Sequence, residues 1–458
     1  MMLREPWRIL RRSGQMAKLV RGGKPLNGFL VLGLAAGAAL VPLASTGTPA
    51  SARTAAVRTD SGEVAAFYRS RGDAPLWLSP SSGAAAQQLV SLLETAQADH
   101  LNPRRYNARA LSRAVDDARS GAPGAVQRAD MMLSQAFVAY AKDQKHDPGG
   151  IIYVDPQLRP APPTTSELLL AAARAPSIAD YVQNMGWMNP IYAKLRAAIA
   201  SHIYRSDDER RLLELNLERA RALPSGSGRY VIVNPPAARL YMYQNGQVVD
   251  SMRVVAGRPD PIAQTPMMNA FIRYVALNPY WNSPPDLTSK LLAPRVIKGG
   301  RAYLNQHGYE VLSDWSDHPH VIDAMSVDWH AVAEGKAIRM RQKPGPANSM
   351  GRMKFMFPNA QGIWLHDTPE KEKIDDAARL QSNGCVRLED APRLERWLFN
   401  GRSPSWKTAK PEQKVDLPNL VPLYITYLTA VPSGTSIVYF DDFYGKDRSE
   451  SRRFAALR

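Results

Sequence analysis

Leu223-Pro224-Ser225-Gly226-Ser227-Gly228-Arg229-Tyr230-Val231-Ile232-Val233 divides the chain into two kinds of pattern. Before this turn-rich stretch the apolar residues recur at helical spacing. Ala84 to Asp99 carries Leu89, Leu92, Leu93 and Ala96, and Met131 to Lys142 carries Met132, Ala136 and Phe137. Ser206-Asp207-Asp208-Glu209 reads as a capping box ahead of Leu212, Leu213, Leu215 and Leu217. These stripes are core, and no cluster of convergent polar groups stands out among them. After the break the period shortens to two. Tyr230 to Val233 is a strand, Leu240 to Tyr243 and Val248 to Val255 flank the hairpin dipeptide Asn245-Gly246, and Phe271 to Leu277 and Gly362 to His366 continue the pattern. The pattern predicts an α+β chain: a helical domain over 53–222, a mainly antiparallel β domain over 223–430, and a tail over 431–458. A Pro- and Gly-rich stretch with helical islands, about 283–350, interrupts the strands and reads as a lid-like insertion or as plain connection.

Residues 1–52 read as an export signal. Arg4, Arg8, Arg11, Arg12, Lys18, Arg21 and Lys24 against Glu5 give +6 ahead of an apolar run from Phe29 to Ala44, and Ala50-Ser51-Ala52 is a small-residue cleavage site. An uncleaved anchor is the alternative, since that run falls short of the roughly 20 residues of a comfortable span. Taking +6 from the net +16 leaves +10 on the remainder, so the chain stays basic. Such charge suits nucleic acid, anionic lipid, an acidic wall polymer or solvated surface, and no nucleic-acid motif supports the first. The 36 prolines point to many turns and edge strands.

A single cysteine, Cys385, lies in Ser382-Asn383-Gly384-Cys385-Val386-Arg387-Leu388, nineteen positions after the histidine of Ile363-Trp364-Leu365-His366-Asp367. A lone cysteine in an arbitrary chain is more often a small core hydrophobe than a catalyst. Here its neighbours make a turn with exposed backbone N–H groups, and Arg387 adds positive charge. One thiol excludes an internal disulfide, and an exposed thiol is a liability in an oxidising compartment. His366 at the end of one strand and Cys385 after the next loop can converge on adjacent strands, where imidazole would take the thiol proton. The other seven histidines show no metal-like pairing.

The order of several motifs resembles one family. Phe67-Tyr68 and Trp77 stand near the start of the helical region, and Leu215 to Pro224 lead out of it. Arg273-Tyr274, Asn278-Pro279-Tyr280-Trp281, Gly308-Tyr309-Glu310-Val311-Leu312, Arg341-Gln342-Lys343-Pro344-Gly345-Pro346, Met353-Lys354-Phe355-Met356-Phe357-Pro358-Asn359 and Leu365-His366-Asp367-Thr368-Pro369 then precede the cysteine segment. Together they resemble the YkuD-type L,D-transpeptidases of bacterial cell-wall synthesis, in the large scaffold-bearing (YcbB-like) subclass. Asn383 stands where the broader family often has histidine, and the base of the family aligns with His366.

The resemblance implies a YkuD-type catalytic domain with Cys385 as nucleophile and His366 as general acid and base. It also implies that the Asp367 carbonyl orients the imidazole and that backbone N–H groups around Asn383, Gly384 and Cys385 form an oxyanion hole. Arg387 holds the loop or meets a substrate carboxylate, and Trp281 and Trp364 wall the cleft or belong to the core. No metal and no cofactor are expected. The implied partners are peptidoglycan tetrapeptide stems, in the periplasm, with release of D-Ala and a crosslink between third-position diamino acids. Attachment of a lipoprotein, exchange of a D-amino acid, and hydrolysis would use the same thioester, and a silent wall-binding scaffold is a reading of a different class. A papain-like protease is disfavoured, because there the cysteine precedes its histidine.

Overall fold

The computed structural model describes residues 49–404 and 410–450, with side chains from residue 60 onward. The basic leader and the apolar run 29–44 lie outside the described residues. Among the described residues no helix is long and apolar enough to cross a membrane.

From Ala52 onward the chain forms one compact unit. Its first half is helical, from Pro49–Ser70 to Asp207–Ala220. Most of the stripe residues read from sequence do pack, with Leu89, Leu93, Ala96 and Phe137 fully buried, but Met132 is exposed and its neighbour Leu133 takes the core position. What spacing did not reveal is that two buried carboxylates organise these helices. Asp99, fully buried, accepts hydrogen bonds from Tyr140 (2.6 Å), Tyr192 (2.7 Å), Gln144 (3.0 Å) and the Arg196 guanidinium (3.2 Å). Asp130 accepts the backbone N–H groups of Leu76, Trp77 and Leu78 at 2.6, 2.8 and 2.9 Å. A buried carboxylate is tolerable only when its lone pairs are met this completely. The expected capping box at Ser206 is half made. Ser206 accepts from the Glu209 N–H, but the Glu209 carboxylate reaches one residue further back, to the Arg205 N–H at 2.6 Å. The complete box is at Thr164 and Glu167.

The second half is built on nine strands: β1 (Arg229–Asn234), β2 (Arg239–Gln244), β3 (Gln247–Gly257), β4 (Met268–Leu277), β5 (Met353–Met356), β6 (Leu365–His366), β7 (Leu380–Ser382), β8 (Val386–Leu388) and β9 (Gln413–Ile425). They pair in the order β4-β5-β6-β8-β3-β2-β1-β9, and β9 pairs back onto β4, so the sheet closes on itself. Most pairings are antiparallel. β6 with β8, β1 with β9, and β7 with β3 are parallel, and so is the short strand Ile152–Tyr153 of the helical half, which pairs with β4 as a tenth strand of the sheet. Asn245 and Gly246 turn the β2–β3 hairpin with φ of 49° and 78°, the left-handed pair that this dipeptide favours.

Alternation decides what each face covers. Tyr230 and Ile232 of β1 pack into the helical core, whereas Val231 and Val233 face a second core with Leu240, Met242, Phe355, Leu365 and Val386. The sheet is therefore apolar on both sides along β1, and the helical half sits against it as part of one continuous core.

Two expectations are corrected. The stretch 283–350 is more than helical islands, because its strands Tyr309–Leu312, Val321–Ile322 and Arg339–Gln342 join Trp281–Ser283 in a four-stranded antiparallel sheet. That sheet, with Leu292, Val296, Leu304, Trp329, Val332 and Met340, has its own core. Residues 431–450 are not a loose tail. Ala430–Ser433 and Ser436–Tyr439 form a hairpin, Tyr444 stacks on Tyr427 with ring centroids 5.2 Å apart, and buried Arg219 holds Asp447 (2.6 Å) and Glu450 (2.9 Å). The aromatic rings and the buried guanidinium supply the packing that a basic, turn-rich composition conceals.

Asp99→Asn keeps the shape but removes the charge facing Arg196, so it is expected to lower stability by about 3 kcal/mol. A fall in the urea midpoint of the near-ultraviolet circular dichroism measures it, and an unchanged midpoint would remove Asp99 from its organising place.

Candidate active site

The strand register brings the two sequence candidates together. β6 and β8 run parallel with Leu365 opposite Val386 and His366 opposite Arg387, and the Val386 N–H donates to the Trp364 carbonyl at 2.8 Å. Cys385 immediately precedes β8, so thiol and imidazole lie at the ends of neighbouring strands. Leu365 and Val386 point into the core, which puts His366, Arg387 and Cys385 on the opposite face. On the other side of β6, Lys354 of β5 pairs with His366, so two cations flank the imidazole within one row.

His366 is 3% exposed. Its Nδ1 lies 2.5 Å from the Asp367 carbonyl oxygen. That oxygen can only accept, so Nδ1 carries the proton and Nε2 is the free base. Burial, followed by the positive charge of Arg387, drives the imidazole pKa down to about 3, against the opposing pull of the Asp367 carbonyl. The ring is therefore neutral across the physiological range. The Asp367 carboxylate is engaged elsewhere, accepting from the Arg352 N–H (3.0 Å) and from the Lys371 ammonium (2.8 Å). It braces the return from the insertion.

Cys385 is half-buried, and its thiol points at the Gly362 carbonyl, 3.5 Å away, rather than at the imidazole. Burial pushes the thiol pKa up, while the Trp364 backbone N–H and the charges of Arg387 and Lys354 pull against it. The resting pair is thus a thiol and a neutral imidazole, not a thiolate and an imidazolium.

The loop before the cysteine is held at several points. Ser382 Oγ donates to the Cys385 carbonyl at 2.5 Å and accepts the Gly384 N–H at 3.1 Å. The Thr265 hydroxyl donates to the Gly384 carbonyl at 2.8 Å, and the Arg258 guanidinium donates to the exposed Asn383 side chain. Gly384 has φ of 107°, and a Cβ there would come within 2.9 Å of Ile363, so only glycine fits.

Gly384 needs correction, and the open readings of Arg387 and Trp281 each close on their structural alternative. The Gly384 N–H is taken by Ser382 Oγ and so does not face the cleft as an oxyanion donor. Arg387 is committed to an ion pair with Glu370 at 2.6 Å, which ties β8 to the segment after His366. Trp281 packs against the insertion core beside Tyr309, with ring centroids 6.2 Å apart. Trp364, in contrast, stays beside the pair, half-buried against Phe357 with the Lys354 ammonium over its ring at 5.4 Å. Lys354, Arg258, Thr265 and Glu370 escaped sequence reasoning. Only Lys354 carried a usable signal, since Met353, Phe355 and Phe357 alternate inward and leave it facing out.

Known proteins share both halves of this architecture. Residues 62–199 match the scaffold domain family model, and residues 228–404 match the YkuD model, the L,D-transpeptidase catalytic domain. A Haemophilus influenzae protein provisionally named an L,D-transpeptidase is 26% identical over 396 residues, covering 84% of this chain and 78% of that protein. The chain thus carries a scaffold domain followed by a YkuD-type L,D-transpeptidase catalytic domain.

Burial of the neutral ring has a pH signature. The folded pKa of about 3 lies below the ordinary 6.5, so between these values the unfolded chain binds more protons. The stability belonging to His366 is complete above pH 6.5 and is lost progressively as the pH falls toward 3. His366→Gln is expected to lose stability less steeply than wild type across that window in urea titrations; parallel curves would show that the ring is not held neutral.

Proposed function

We propose that the protein is a peptidoglycan L,D-transpeptidase with Cys385 as nucleophile and His366 as general acid and base. The observation that carries this reading is the pairing of a half-buried thiol with a neutral imidazole whose Nδ1 is fixed, both on one face of adjoining strands. Nε2 is left as the only ring position able to exchange a proton with substrate.

The reaction begins when the thiol turns from the Gly362 carbonyl toward His366 and gives Nε2 its proton. The sulfur attacks the carbonyl carbon of the amide joining the third-position diamino acid of a tetrapeptide stem to its terminal D-Ala. The C–N bond breaks as the imidazolium protonates the departing amine, leaving a thioester and free D-Ala. The side-chain amine of a second stem then attacks, His366 accepts its proton, and the C–S bond breaks to give a crosslink between two third-position residues and the free thiol. The Cys385 N–H, at the head of β8, is the donor assigned to the developing oxyanion, with the neighbouring Asn383 N–H as second candidate. A neutral thiol attacked by a neutral base places proton transfer within the nucleophilic step, so the ordinary few per cent of ionised thiol does not limit the rate.

The insertion is the proposed lid. Its roots abut the base: the Asn278 N–H donates to the Arg352 carbonyl at 2.9 Å, and the Arg352 N–H donates to the Asp367 carboxylate. Motion of the insertion would thus be felt one residue from His366. The basic segment and apolar run within residues 1–52 support a periplasmic location for the proposed enzyme, cleaved free or anchored in the inner membrane. Lipoprotein attachment, D-amino acid exchange and hydrolysis share the first half of the reaction, and muropeptide analysis after incubation with sacculi separates them.

A carbapenem is expected to acylate the same sulfur. Intact-mass measurement should show one adduct on wild type and none on Cys385→Ala. An unmodified wild type, or an equally labelled variant, would end the proposal.

A further inference from the structure

The row of side chains containing His366 includes a cation that the fold leaves uncommitted. Lys354 on β5 and Arg387 on β8 are the register partners of His366 from its two sides, so all three share a face of the sheet. Arg387 is neutralised by Glu370. Lys354 is half-buried, rests its ammonium over the Trp364 ring at 5.4 Å, and makes no ion pair among the described residues. A ring face fixes where an ammonium sits but satisfies none of its three N–H donors in the strong sense that a carboxylate does.

The leaving group constrains what this cation would meet. The departing nitrogen must come within hydrogen-bond reach of the imidazole to receive its proton. In the donor described above, the next atom after that nitrogen is the D-Ala Cα, and the atom beyond is the carbon of a free carboxylate. That negative charge is therefore delivered beside His366, where the flanking cations of its own row stand, and only Lys354 lacks a carboxylate.

We propose that Lys354 is a specificity residue that binds the terminal carboxylate of the leaving D-Ala, so that the enzyme reads a donor stem ending one residue past the scissile amide. This rests on the assignment of Cys385 and His366 given above. A charge-assisted contact in a partly desolvated row is expected to contribute about tenfold to a hundredfold in kcat/KM.

The test compares two tetrapeptide donors on the full-length protein, one with a free D-Ala carboxylate and one amidated there, by release of D-Ala or D-Ala amide. Wild type should prefer the free acid by about tenfold to a hundredfold. Lys354→Met should bring the ratio close to one, and Lys354→Arg should keep a preference. Each ratio is taken on a single enzyme preparation, so changes in thiol reactivity or folded fraction cancel, and a merely structural lysine would leave it unmoved. Equal use of both donors by wild type, or an undiminished ratio in Lys354→Met, overturns the proposal while leaving the transpeptidase reading intact. Should Lys354→Met be inactive on both donors, Lys354→Arg decides: a retained preference supports the contact, and a ratio of one refutes it. Release of neither product by wild type defeats the parent reading and this one together.

Discussion

Two residues of parallel pairing, Leu365 with Val386 and His366 with Arg387, are the constraint on which the site depends. Strand side chains alternate with period two, so a slip of one position would send His366 into the core and Leu365 into the cleft. The short ladder cannot resist that by its own hydrogen bonds. The register is pinned from inside, where Leu365, Val386 and Phe355 fill fully buried positions in the second core. Displacing three such side chains costs far more than two backbone hydrogen bonds supply. The geometry of the candidate site is here a consequence of hydrophobic packing on the opposite side of the same sheet.

Against that frame the charges divide their work. Arg387 and Lys354 raise the cost of protonating His366, and burial adds the larger share. The Asp367 backbone fixes the tautomer while its carboxylate binds the Arg352 N–H and Lys371, so one residue serves the ring and the root of the insertion with separate groups. The loop carrying the thiol is held by small polar contacts from Ser382, Thr265 and Arg258, which fix its backbone but leave the sulfur a choice of rotamer.

Local chemistry was legible in the sequence, and long-range convergence was not. Asn245-Gly246 announced its hairpin because the dipeptide tolerates two left-handed residues in succession. The thiol and imidazole were legible because motif and strand alternation agreed. The Asp99 network was hidden because its partners lie at 140, 144, 192 and 196, each unremarkable in its own helix. Arg387 read equally well as a substrate contact until Glu370, seventeen positions earlier, proved to occupy it. Trp281 belonged to an insertion core that could not be foreseen while its strands were hidden among prolines and glycines. Ser206 and Thr164 present similar capping signals, and only the geometry distinguishes the half box from the full one.

The segment around Tyr444 reaches the thiol loop by a short relay. Tyr444 donates to the Gly257 carbonyl at 2.5 Å, the Gly257 N–H donates to Thr265 Oγ1 at 2.8 Å, and Thr265 donates to the carbonyl just before Cys385. Gly257 has no room for a Cβ, which would lie 2.1 Å from the Ala263 carbonyl, so only glycine lets the backbone pass between the Tyr444 and Thr265 hydroxyls. A variant shortened to end before Tyr444 would lack the latch on the thiol loop.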